Sequence, residues 1–255
     1  MASRNWHRRI RKSHRYLGLF IGIQFLAWTV GGLYFSWTNI DEIHGDHQKN
    51  HSRQLTLQQP LASPAPALSR INGDSLTDIR LITVLDRPTY QITYTVNHSG
   101  HPMKHVRLAD ALTGDLRPGL TRAEAVALAK RHFNGSEPVE RILYLTTTDG
   151  HHEYREKPLP AYAVTFANSS HTTVYVAPQL GQVTSFRHDG WRWFDWLWML
   201  HTMDYEGRDN INNYLLRGFS VLGLFTVLSG FCLYFVSSTR FRLKPKGRKA
   251  VKSLV

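Results

Sequence analysis

A single cysteine, Cys232, is the whole thiol content of this 255-residue chain. One thiol closes no internal disulfide and builds no cysteine-based metal centre. Inside the apolar run where it sits, it reads as a small buried hydrophobe. Hydrolytic signatures are missing as well: there is no Ser-His-Asp order, no phosphate loop and no H-E-x-x-H. No nicotinamide or flavin fingerprint occurs, so any electron donor would have to be another protein or a quinol. Acidic residues are absent from both ends. Residues 1–15 hold Arg4, Arg8, Arg9, Arg11, Lys12 and Arg15 without an acid. Residues 240–255 hold Arg240, Arg242, Lys244, Lys246, Arg248, Lys249 and Lys252, again without one. Those thirteen leave 18 Lys and Arg against 19 Asp and Glu between the tails, so the formal charge of +12 belongs to the ends.

Basic tails suit nucleic acid, but here each borders an apolar run. Residues 16–37, "YLGLFIGIQFLAWTVGGLYFSW", carry no charge. As a helix they reach about 33 Å, enough to cross a hydrocarbon core. Residues 215–236, "LLRGFSVLGLFTVLSGFCLYFV", form a second run, interrupted only by Arg217 close to one end, where it can snorkel. No small-x-small cleavage site follows the first run, so it reads as a retained helix rather than a signal peptide. Lys and Arg beside spans stay cytoplasmic. The expected order is a basic cytoplasmic tail over 1–15, a first span over 16–37 and an outer domain over 38–188. A Trp-rich interfacial helix and loop over 189–210, a second span over 211–237 and a basic cytoplasmic tail over 238–255 complete it. The lipid bilayer is then the first partner, and nucleic acid is not one.

The outer segment repeats itself. Ser63 caps a short helix expected from residue 64 to about 71, and "NGDS" ends it. Strand-like runs "DIRLITVL" and "TYQITYTV" follow, then the turn "NHSGHP" and a third strand, "KHVRLADALTGDL". Thr121 and Glu124 open the second unit as a capping box before "AEAVALAKRHF", whose Ala125, Leu128, Ala129 and His132 share a face. "VERILYLTT", "AYAVTFA" and "TTVYVAPQLGQVTSF" are its strands. Tyr90-x-Ile92-Thr93-Tyr94 overlays Tyr162-x-Val164-Thr165-Phe166. Val106-x-Leu108 leading to Gly114-x-Leu116 overlays Val174-x-Val176 leading to Gly181-x-Val183. Such a repeat predicts an α+β outer domain of two units, each a helix followed by a three-strand antiparallel meander.

The second unit, "LTRAEAVALAKRHF … LPAYAVTFANSSHTTVYVAPQLGQVTSF", resembles a PepSY domain. "HRYLG" at the first span, the outer region, and "WLWMLHTMD … GRDN" before "GLFTVLSGFCLYF" together resemble the PepSY-associated transmembrane family over nearly the whole chain. The resemblance implies a bacterial inner-membrane protein with a periplasmic central domain. It also implies a place near iron or siderophore utilisation, as a b-type haem electron carrier or reductase component with an iron-uptake or redox partner. Members of that family often carry four spans, and this chain has two. The competing function is a non-catalytic anchor whose PepSY region binds or regulates a periplasmic partner.

The resemblance points to His14 and His201 as haem ligands. They flank opposite ends of the spans, about 30 Å of hydrocarbon apart, so one protomer cannot give both to one iron. A two-fold homodimer through the Gly18-x-x-x-Gly22 face would let two His14 side chains meet. For His201 the candidate partners in holding a haem are His44 and His47, which lie in the same outer layer. On a helix, His201 shares a face with Phe194, Leu197 and Trp198, and Asp204 lies within helical reach as a second-shell acceptor. Trp191, Trp193, Trp196 and Trp198 need a separate account: indoles collect at membrane interfaces. An amphipathic helix on the outer leaflet, with Arg192 and Asp195 paired on its polar side, explains them. His44, His47 and His51 are spaced to align on a helix for zinc or copper, but lack apolar support. His98, His101, His105, His151 and His152 show no closing pattern.

Overall fold

A computed structural model describes the backbone of residues 2–50 and 60–237, and the side chains of residues 8–50 and 60–235. The chain divides into two units. One is Met1–Tyr34 with Trp198–Tyr205 and Asp209–Val255, and the other is Phe35–Leu197 with Glu206–Arg208.

The first unit is built on two long helices, α1 (Ala2–Trp37) and α6 (Tyr214–Ser237). Their stretches Arg8–Trp37 and Tyr214–Phe235 are long and apolar enough to cross a membrane. Helix α1 begins at Ala2, so much of the basic segment expected as a tail is its first four turns. Arg and Lys are good helix formers, and no Gly or Pro interrupts before Gly18. Leu19, Phe20, Ile23, Leu26 and Val30 on α1, and Leu224, Phe225, Phe231 and Phe235 on α6, are exposed. That much uncovered hydrocarbon suits a lipid solvent. Cys232 is exposed as well: the seam with α1 uses other positions, and the thiol faces outward with the leucines. At the seam Ile21 is fully buried and the Phe20 and Phe219 rings lie 5.3 Å apart. A Cβ at Gly223 would sit 2.8 Å from Phe25, so glycine there seats an aromatic ring.

The second unit carries two sheets. After α2 (Ile40–Ile43), a 3-10 turn (Asp46–Gln48) and α3 (Ala65–Leu68), the first sheet has the order β1-β2-β3-β4. Its strands are Ser75–Val84, Arg87–His98, His101–Asp110 and Leu116–Arg117. Helix α4 (Arg122–His132) leads to the second sheet, of order β5-β6-β7-β8. Those strands are Val139–Leu145, Ala161–Phe166, Thr173–Ala177 and Gln182–Arg187. Every pairing is antiparallel.

Each sheet has four strands where three were expected, because each long final run folds back on itself. The turn-over is at equivalent glycines. Gly114 has φ +79°, and a Cβ there would meet the Ser63 carbonyl at 2.9 Å; Gly181 has φ +66° and fits against Leu108 and Val84. A left-handed backbone in so little space leaves glycine as the residue that fits. The overlaid stretches do become equivalent strands, β2 with β6 and β3-β4 with β7-β8. Helix α3 is shorter than expected. Ser63 Oγ accepts from the Ala65 amide at 3.2 Å, but the helix ends at Leu68. Two hairpin turns place both central residues at positive φ: Leu85-Asp86 and Ser99-Gly100, the primed geometry that matches strand twist.

The main core lies between α4 and the second sheet. Ala125, Leu128 and Ala129 pack on Val164, Phe166, Val174, Val176 and Phe186, and Val84 of the first sheet joins them. A smaller cluster seats α3 on the first sheet through Ala67, Ile92 and Ala109. The capping box is present in full. Glu124 N–H donates to Thr121 Oγ1 at 3.3 Å, and Thr121 N–H donates to Glu124 Oε2 at 2.8 Å. Thr121→Ala is expected to cost about 1 kcal/mol. For a domain of this size that is roughly a 2–4 °C lower melting temperature, readable by thermal unfolding of the purified protein.

Candidate functional site

His14 lies on helix α1. Its Nδ1 lies 2.7 Å from Ser229 Oγ, and that hydroxyl donates to the Thr226 carbonyl at 2.7 Å. The serine proton is therefore committed, so His14 Nδ1 carries the hydrogen and donates to Ser229. Nε2 then holds the lone pair. A Cβ on Gly230 would come within 3.4 Å of His14 Cε1, so the imidazole lies against α6 where that helix is bare. Ser229 is eight residues from the end of α6 at Ser237, about 12 Å inside it. The Ser229 hydrogen bond gives this polar ring a partner on the facing helix.

His201 lies in the same unit with aromatic rings on both sides. Trp198 stacks on it at 6.0 Å and 16°, and Trp28 of α1 stands at 6.0 Å and 50°. Gln24 donates to the Leu200 carbonyl at 3.0 Å, which ties the same stretch to α1. Trp198 Nε1 donates to Asp209 Oδ1 at 3.1 Å. His14 and Trp28 are separated by fourteen residues of continuous helix, about 21 Å along its axis. The two imidazoles thus occupy different layers, and one iron cannot take both.

Asp204 lies beyond the helix on which its expected second-shell role was placed. Helix α5 (Asp189–Thr202) stops before it, and Met203 turns left-handed with φ +53°. Asp204 Oδ2 accepts from the Asn210 amide at 2.9 Å. His44 belongs to the other unit, where it is exposed and its backbone N–H closes α2. The helical alignment of His44, His47 and His51 also fails. Gly45 breaks the helix at φ +75°, and His51 lies outside the described residues. Among the described residues no cluster of three His, Cys, Asp or Glu could hold a metal ion.

The tryptophans divide. Trp193 and Trp196 are exposed and meet edge to face at 5.7 Å, as an interfacial belt requires. Trp191 instead stacks between cations, with Arg187 at 3.9 Å and Arg155 at 6.0 Å from its ring. The expected Arg192–Asp195 pair is replaced by a network reaching across the fold. Asp195, 4% exposed, binds Arg155 at 2.8 Å and also Arg208. Arg192 binds Glu153 at 2.7 Å and Asp189 at 2.9 Å. Tyr175 OH donates to Glu153 Oε1 at 2.6 Å; burial, with the carboxylate beside it, pushes the phenol pKa far up, so it keeps its proton. Nothing in the spacing of α5 could have revealed these partners, which come from 13 to 40 residues away in the sequence or across a helical turn in the opposite direction.

His188 gives the same lesson for an imidazole. Nδ1 accepts from the Gly190 amide at 3.1 Å, so Nε2 carries the hydrogen and donates to the carbonyls of Glu42 and Ile43 at 3.0 and 3.2 Å. Burial lowers its pKa. A depressed histidine pKa means the unfolded chain takes the proton first, so this group's contribution is lost as pH falls through the ordinary imidazole range.

Were a haem held here, the thiol content of the chain would suit a non-covalent one. A covalent c-type attachment needs two thiols beside a histidine, and Cys232 is alone. His14 and His201 are the described imidazoles of the spanning unit, and His14 presents one nitrogen oriented by a hydrogen bond through the other, the usual arrangement of a ligating histidine. Across residues 11–254, nearly the whole chain, the sequence matches the model of the PepSY-associated TM region. No curated protein matches it, and no solved structure does.

Proposed function

From its membership of the PepSY-associated TM family, which makes this a membrane PepSY protein, we propose that the chain is a b-type haem electron carrier of the bacterial inner membrane. Its α+β unit faces the periplasm and both termini face the cytoplasm, in keeping with the thirteen cations of the two ends. The work it serves is iron or siderophore utilisation. The observation that carries the haem reading is the His14–Ser229 hydrogen bond of 2.7 Å: it sets the ring and leaves Nε2 for a metal. His14 of a second copy would join it in holding the haem. Gly18 and Gly22 favour that approach, since nothing lies within 4 Å of a Cβ built on either. His201, between Trp28 and Trp198, is the ligand of the other layer. Bound haem would supply one-electron chemistry; the protein supplies ligand orientation and an apolar surround.

The test is the visible spectrum of detergent-purified protein from haem-sufficient cells. A Soret band is expected. His14→Ala and His201→Ala should each remove or shift part of it, while His44→Ala, on the exposed outer unit, should leave it unchanged. Ser229→Ala should keep the band but move the midpoint potential, because the ring loses its orienting acceptor. A haem-loaded protein indifferent to both His14→Ala and His201→Ala would end this reading. Absence of any Soret band would assign the chain to the anchored, non-redox binding role.

A further inference from the structure

We infer that the tip of the β2–β3 hairpin holds a site for copper(I), built from His98, His101 and Met103. Strand register brings the three together. The turn residues Ser99 and Gly100 both have positive φ, and the turn closes with His98 directly opposite His101. Side chains opposite one another on antiparallel strands leave the same face, with Cβ atoms about 4.5–5.5 Å apart. Two residues further along each strand, Val96 opposes Met103. Strand side chains alternate, so Met103 shares the face of both imidazoles, while Asn97 and Pro102 in the rung between belong to the other face. Met103 is about 7 Å along β3 from His101, a gap that a thioether side chain and an imidazole can close on one ion.

The donors are available. All three residues are exposed, and among the described residues none of their side chains is taken up by a hydrogen bond, an ion pair or a ring contact. Met103 carries the argument further. It is 52% exposed, whereas a thioether ordinarily fills a gap in a core. A flexible apolar side chain left in water beside two uncommitted imidazoles is explained by a ligand that bonds to sulfur. The donor set then decides the ion. Structural zinc takes four ligands from thiolate, imidazole and carboxylate, and among the described residues no three His, Cys, Asp or Glu gather to hold a metal. Calcium and magnesium take oxygen. A thioether with two imidazoles is a soft set, the kind that selects copper(I). The same face runs back through Tyr94 and His105, whose rings stack at 5.7 Å, to Ile92 and Ala109 under α3. The hairpin tip is thereby tied to a packed sheet. This site is independent of the haem reading and lies wholly in the outer unit.

The probe is copper(I), supplied under argon as its acetonitrile complex and titrated by calorimetry into the full chain in nanodiscs, with empty nanodiscs subtracted. X-ray absorption of the loaded protein identifies the bound atoms. One saturable copper(I) per chain is expected, with nitrogen and sulfur neighbours. His98→Ala and His101→Ala should each weaken it at least about tenfold without moving the melting temperature, since both positions are exposed. Met103→Leu should weaken it less and remove the sulfur neighbour. His151→Ala, exposed and away from the hairpin, should change nothing. No saturable increment over empty nanodiscs, binding that survives the double variant His98→Ala with His101→Ala, or a sulfur neighbour that persists in Met103→Leu overturns the site.

Discussion

Leu128→Asp is expected to leave the outer unit unfolded at room temperature. Leu128 is 1% exposed and sits in the middle of the α4 face, on Val164, Val174 and Phe186. Removing the side chain alone, as in Leu128→Ala, costs about 2–5 kcal/mol through lost burial and a residual cavity. Aspartate adds a carboxylate with no cation inside that cluster, and an unpaired buried charge costs several kcal/mol more. The total reaches the whole stability of an ordinary domain, about 5–15 kcal/mol. Limited proteolysis of the membrane-embedded protein reads the difference: the wild-type outer unit should resist cleavage between its strands, Leu128→Ala should resist at lower temperature, and Leu128→Asp should be cut throughout. Resistance unchanged in Leu128→Asp would mean that α4 does not pack on the second sheet.

Asp195→Ala should be the most damaging change of a polar residue. Its carboxylate is 4% exposed and holds Arg155, itself 9% exposed, together with Arg208. Deleting the acid removes the carboxylate that Arg155 and Arg208 share, where Arg155 and Arg187 already crowd the Trp191 ring at 6.0 and 3.9 Å. Breaking a buried pair from one side costs about 3–5 kcal/mol, roughly 10 °C in melting temperature for a unit of this size. The mechanism has its own control. Asp195→Leu combined with Arg155→Met removes the acid with one of its two guanidinium partners, and should recover part of the loss because less charge is left without its counterion. If the double variant melts no higher than Asp195→Ala, the cost arises from packing in α5 and not from stranded charge.

What could be read along the chain was local. The α4 face, its capping box and the apolar runs of the spans depend on residues three, four or seven apart, so period and cap chemistry expose them directly. The internal repeat was legible for a related reason: equivalent strands carry equivalent side chains, and Gly114 and Gly181 recur where each unit needs a left-handed turn. The resemblance of the whole chain to the PepSY-associated transmembrane family belongs to the same order of elements, and the family match over residues 11–254 agrees with it.

Only the tertiary structure decided which charges and imidazoles meet. A helical rule paired Arg192 with Asp195, whereas the fold gives Arg192 to Glu153 and Asp189, and Asp195 to Arg155 and Arg208. Ser229 shares no local pattern with His14, and α6 brings it there from 215 residues away. His188 stood in no motif until the carbonyls of Glu42 and Ile43 met its Nε2. The physical reason is common to all three. A side chain's hydrogen-bonding capacity is written in its type, but its partner is set by strand register and helix packing, which sum many weak contacts over distant segments. Periodicity reports which face of an element is apolar; what that face or its rim will touch is determined only when the elements close on one another.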